Sequence, residues 1–73
     1  MQDIETFYED GSWKCRWAGG RRAPFATGPD RERMIEQGSI VARWYGVDHI
    51  IRDSDGTVAE KNCYRQPTEV DAS

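Results

Sequence analysis

The sequence is poor in the residues that most site chemistry requires. It holds one histidine, His49, and two cysteines, Cys15 and Cys63, among 73 residues. With no second His, no Ser or Cys beside it in a motif and no acid at metal spacing, His49 does not suggest a catalytic base or a metal ligand. It reads as a strand residue at the sheet surface. The cysteine spacing matches no zinc pattern, and neither thiol has a neighbouring base that would mark a nucleophile. Both read as buried thiols in a reducing compartment, to be bridged only if their strands are neighbours. No apolar run approaches the roughly 20 residues that span a bilayer. The N-terminal MQDIETFYED is acidic and has neither the basic start nor the apolar stretch of a signal peptide, which places the protein in the cytoplasm. Gly19-Gly20 is followed by neither Lys-Ser/Thr nor a helix, so it is no phosphate loop. The expectation is a protein with no catalytic residue, no metal, no cofactor and no membrane contact.

What is present is architecture. The length allows one domain with a small core. The segment from Thr27 to Gly46 is the only one that reads as a helix. At about 100° per residue, Met34, Gly38, Val41 and Tyr45 share one arc, with Ile35 and Ala42 on its shoulder. Thr27 or Asp30 caps the start, with Pro29 in the first turn, and Gly46 ends the helix in the left-handed position. Gly38 lies inside the apolar arc, which points to a close helix–sheet contact.

Strands surround this helix. Asp10-Gly11 is a two-residue hairpin signal. Folding there pairs Glu9 with Ser12, Tyr8 with Trp13, Thr6 with Cys15 and Ile4 with Trp17, an apolar face. Phe7 with Lys14 and Glu5 with Arg16 form the other face. A loop of Ala18, Gly19 and Gly20 sets Ala23 opposite Cys15 and Phe25 opposite Trp13, in a third strand kept short by Pro24. Val47 to Arg52 and Thr57 to Tyr64 form a last hairpin around Asp53-Ser54-Asp55-Gly56, with Val58 facing in. That turn opens like a calcium loop but lacks the later ligands and the closing Glu. The expected fold is α+β, a small antiparallel sheet in the order β-β-β-α-β-β with the helix on one face. Residues 1–65 form the domain, and 66–73 are expected to be a disordered tail.

These residues carry a resemblance. Trp13-x-x-x-Trp17, the basic residues after it, Phe25-Ala26-Thr27, a helix ending in Val41-Ala42-Arg43, the turn Arg52-Asp53-Ser54-Asp55-Gly56-Thr57-Val58 and Asn62-Cys63-Tyr64 follow one another. In this order the chain resembles a small bacterial and phage-associated family, domain of unknown function 2188, from about Phe7 to Tyr64. It departs from the family pattern by about three extra residues between Thr27 and Met34. The resemblance implies no activity, ligand or catalytic residue.

Two surfaces are candidates for function. Charge is uneven: acids dominate residues 1–12, whereas Lys14, Arg16, Arg21, Arg22, Arg31 and Arg33 face only Asp30 and Glu32 in the next stretch. Lys14, Arg16 and Arg22 around Phe7 on the outer sheet face could hold single-stranded nucleic acid by phosphate contact and stacking. On the helix, Arg33, Gln37, Ile40 and Trp44 form a stripe outside the core arc, of the composition that protein interfaces use. The alternative for Trp44 is that it covers the sheet edge. The expected function is a small non-enzymatic binding module acting through a protein partner or as a homodimer. A nucleic-acid-binding accessory protein ranks second.

Overall fold

The computed structural model describes residues 2–19 and 23–64. The elements are β1 (Ile4–Glu9), β2 (Ser12–Trp17), β3 (Ala26–Gly28), α1 (Arg31–Tyr45), β4 (Asp48–Arg52) and β5 (Val58–Cys63). The tail expected at 66–73 lies outside the described residues, as does Arg22. The fold is α+β, with five strands in the order β3-β2-β1-β4-β5 and α1 over one face.

The first hairpin has the expected register, from Ile4 opposite Trp17 to Glu9 opposite Ser12. Asp10 and Gly11 both take positive φ, 53° and 80°, as a type I′ turn demands. The third strand differs. Cys15 pairs with Ala26 and Trp13 with Gly28, three residues beyond the expected register. Pro24 has no N–H to give the ladder; Phe25 is the first residue after it that does, donating to Cys15 O at 2.9 Å. Ala23 and Phe25 therefore do not face the helix.

The sheet is mixed, not antiparallel throughout. β1 and β4 run parallel, with Ile4 opposite His49 and Thr6 opposite Ile51. α1 is the cause: one helix laid on a sheet returns the chain to the end it left, so β4 enters in the direction of β3. β4 then seats against the free edge of β1. β5 closes the last hairpin with a register shift between Ile51 and Arg52, which places Val58 opposite Arg52. Val58 is consequently exposed and does not face in. Cys15 and Cys63 are free, on strands separated by β1 and β4. Cys15 is buried as expected, but Cys63 is exposed on the edge strand.

Asp30, not Thr27, caps the helix: its carboxylate accepts the Glu32 N–H at 3.1 Å, while Thr27 is spent in β3. Gly46 closes the other end at φ 65°. The buried line along α1 is Met34, Gly38 and Ala42, one residue round from the expected centre. Tyr45 is 57% exposed and stands nearly perpendicular to the Trp17 ring, at 5.1 Å between ring centres. Trp13 and Trp17 are half-buried at the rims. The centre belongs to smaller residues: Ile4, Thr6, Cys15, Val47, His49 and Ile51, all fully or nearly fully buried.

Candidate functional site

The helix places its candidate residues together. Arg33, Gln37, Ile40 and Trp44 recur every three or four residues, so they share the face turned from the sheet, and all four are exposed. Trp44 is 82% exposed and Ile40 42%. An indole this open covers no sheet edge. Ile40 and Trp44 line a shallow depression together with Arg43. Toward the start of the helix, Asp30, Glu32, Arg33 and Glu36 line a second, polar one. Arg43 and Glu36 were not singled out in the sequence; their spacing from Ile40, one turn either way, was the available signal.

The outer sheet face is organised differently from the expected stacking platform. Phe7 is only 7% exposed, because the Arg16 guanidinium lies 4.2 Å from its ring centre. Glu5, buried beside it, holds Arg16 Nε at 2.8 Å and Arg52 Nε at 2.5 Å. Burial would push the Glu5 carboxyl up, but bonds from Arg52 and Arg16 outweigh it and hold the group below the usual carboxylate range. Lys14 pairs with Glu9 at 3.2 Å and Lys61 with Asp48 at 3.6 Å. Among the described residues the face thus carries two cations that the sequence reading did not name, since Arg52 and Lys61 arrive on β4 and β5, and Lys14, Arg16, Arg52 and Lys61 are each matched to a carboxylate. The side chains form a roof over Phe7, where, among the described residues, no second layer covers the sheet.

Between helix and sheet lies a polar row that the sequence reading missed. His49 is fully buried, not at the sheet surface. Its Nε2 is 2.6 Å from Thr6 Oγ1 and its Nδ1 3.1 Å from Ser39 Oγ. Thr6 Oγ1 is also 3.3 Å from Cys15 Sγ, and Cys15 donates to the Met34 carbonyl at 2.9 Å. Gly38 is what admits the ring: a Cβ there would come within 2.6 Å of His49 Nε2 and 2.9 Å of Thr6 Oγ1. Burial lowers the His49 pKa, with Glu60 partly opposing, and burial raises that of the Cys15 thiol. A neutral imidazole uses one nitrogen to donate and the other to accept, which two hydroxyls satisfy. Ser39 touches a base, but it sits mid-helix, where backbone N–H groups are spent on the helical ladder and give a developing oxyanion nothing. The row fastens α1 to β1, β2 and β4.

Among the described residues no cluster of His, Cys, Asp or Glu could hold a metal ion. In the last turn Asp55 is occupied by Thr57, whose N–H and Oγ1 approach it at 3.0 and 2.7 Å. No described helix is long and apolar enough to cross a membrane.

No curated protein and no solved structure matches the chain. The family described as uncharacterized protein conserved in bacteria, domain of unknown function 2188, matches residues 4–64, from the first residue of β1 to the one after β5. The match takes in the hairpin, the helix with its solvent face and the closing turn, and on that extent the chain belongs to this family.

Proposed function

We propose that the protein is a small non-enzymatic binding module whose working surface is the solvent face of α1. The observation that carries this reading is Trp44, 82% exposed one turn from Ile40, where no other large hydrophobic among the described residues is more than 57% exposed. Exposed tryptophan beside isoleucine and arginine is the composition of interface hot spots. Two free thiols suit the reducing cytoplasm, where we place the module. Nucleic-acid binding by the outer sheet face draws less support: Phe7 lies beneath Arg16, out of reach of a base, and the described cations there, Lys14, Arg16, Arg52 and Lys61, are matched to carboxylates.

The test is affinity capture from a bacterial lysate, with and without nuclease, using the wild type and Trp44→Ala. Retained polypeptides should survive nuclease and disappear with Trp44→Ala. Since Trp44 supports no core contact, the variant should melt within a few degrees of the wild type. Retention that depends on nucleic acid and ignores Trp44 would refute the reading.

A further inference from the structure

The solvent face of α1 has a symmetry of its own. Ile40 lies on its midline, Gln37 and Trp44 on one flank, Glu36 and Arg43 on the other. Gln37 stands three residues before Ile40 and Trp44 four after; Glu36 stands four before and Arg43 three after. A two-fold axis perpendicular to a pair of antiparallel helices keeps each flank against the same flank of the other copy. Centred near Ile40, it sets Ile40 against Ile40, Trp44 against Gln37, and Glu36 against Arg43, each twice over. Arg33 falls one turn from the facing Trp44, within reach of its ring.

We infer that the occupant of this face is a second copy of the chain, docked helix to helix, antiparallel, about a two-fold axis at Ile40. The inference rests on the helix face being the working surface and names what covers it. Its strength follows from size. Fifteen residues make a helix about 22 Å long, so one helix face against another lies at the small end of specific interfaces, below about 1,200 Å² in all. The dimer should be weak and reversible, with a Kd on the order of 100 μM.

Sedimentation equilibrium of the full chain, up to about 1 mM, tests this. Wild type should show a monomer–dimer equilibrium, and Trp44→Ala should remove it over that range. Glu36→Arg or Arg43→Glu alone converts two attractive contacts into two repulsive ones and should weaken association by about tenfold. The double variant Glu36→Arg/Arg43→Glu should return to within about threefold of wild type. Both residues are exposed, and circular dichroism and melting confirm that each variant is folded. In a Cys63→Ser background, Ile40→Cys should cross-link to itself under mild oxidation, whereas Arg33→Cys should not. A wild type that stays monomeric throughout overturns the dimer, while Trp44-dependent capture from lysate would still uphold the helix-face reading. A dimer indifferent to Trp44 and to the charge exchange overturns the helix-to-helix docking, and the lysate capture with Trp44→Ala decides the helix-face reading separately.

Discussion

Gly38→Ala is the substitution that most sharply separates this packing from a generic helix on a sheet. Mid-helix, exchanging glycine for alanine normally stabilises by about 1 kcal/mol, since glycine carries the larger entropy loss. Here the added Cβ would stand 2.6 Å from His49 Nε2, 2.8 Å from Cε1 and 2.9 Å from Thr6 Oγ1, distances that bonded neighbours alone tolerate. The ring cannot slide aside cheaply, because Thr6 holds one nitrogen and Ser39 the other. Either the helix lifts by several tenths of an ångström and loosens Met34 and Ala42 with it, or the imidazole leaves its hydroxyls. Overpacking of this kind costs about 1–3 kcal/mol, and a buried polar group left unmatched about 1–3 kcal/mol more. With both costs, and net of the propensity gain, the variant should lose roughly 1–5 kcal/mol, a fall in Tm of roughly 4–40 °C for a domain of this size. Thermal and urea unfolding followed by circular dichroism measure it. A Gly38→Ala protein as stable as wild type, or more so, would refute the tight seat for His49.

The same seat sets a pH dependence. The folded pKa of His49 lies below its ordinary value of 6.5, so its contribution is fully present above about pH 6.5 and is lost as pH falls from there through the folded pKa; urea midpoints at pH 8 and pH 5.5 should differ, and His49→Gln should flatten that difference. Glu5 is depressed too, so its stabilisation holds above about 4.5 and disappears on further acidification. Glu5→Gln at pH 7 leaves two half-exposed guanidinium groups without their carboxylate and should cost roughly 1–2 kcal/mol, less than the loss of a fully buried pair because solvent screens both arginines. A loss near zero would show that the roof over Phe7 stands without its central acid. Ellman titration of native protein should modify Cys63 promptly and Cys15 only on unfolding, given their exposures; equal rates would contradict the buried Cys15.

What the sequence made legible was local. The first hairpin could be read residue by residue because the Asp10-Gly11 turn and the alternation of Ile4, Thr6 and Tyr8 select one register without reference to anything distant. The stripe Arg33, Gln37, Ile40 and Trp44 was legible for the same reason, since neighbours on a helix surface follow from 3.6 residues per turn. The pairing of β4 with β1 joins residues more than forty positions apart, and no local signal chooses the edge or direction. That one non-local choice carries His49 from the expected surface to the core and brings Arg52 to Glu5. The third strand failed at Pro24, where the loop was counted before the missing donor was. Gly38 was read as a point of close approach, which it is, but its counterpart was not identifiable from the helix alone.

Why the helix face, and not another surface, should be left for a partner follows from how the remaining ones are closed. The inner sheet face lies under α1. Among the described residues the outer face has no second layer, yet Glu5 draws Arg16 and Arg52 across it, and the arginine over Phe7 hides the ring that would otherwise seek cover. The β3 edge is three residues long, too short to template another strand. β5 is a longer edge, but its middle residues are Glu60 and Lys61. Two β5 strands meeting antiparallel about a two-fold must keep inner residues opposite inner and outer opposite outer. The registers that pair nearly the whole strand then place Glu60 against Glu60 or Lys61 against Lys61, like charges directly opposed, the means by which natural sheets keep their edges apart. On α1 the same two-fold operation places Glu36 against Arg43. One symmetry repels at the sheet edge and attracts on the helix, which is the ground for the proposal that self-association goes through Ile40 and Trp44.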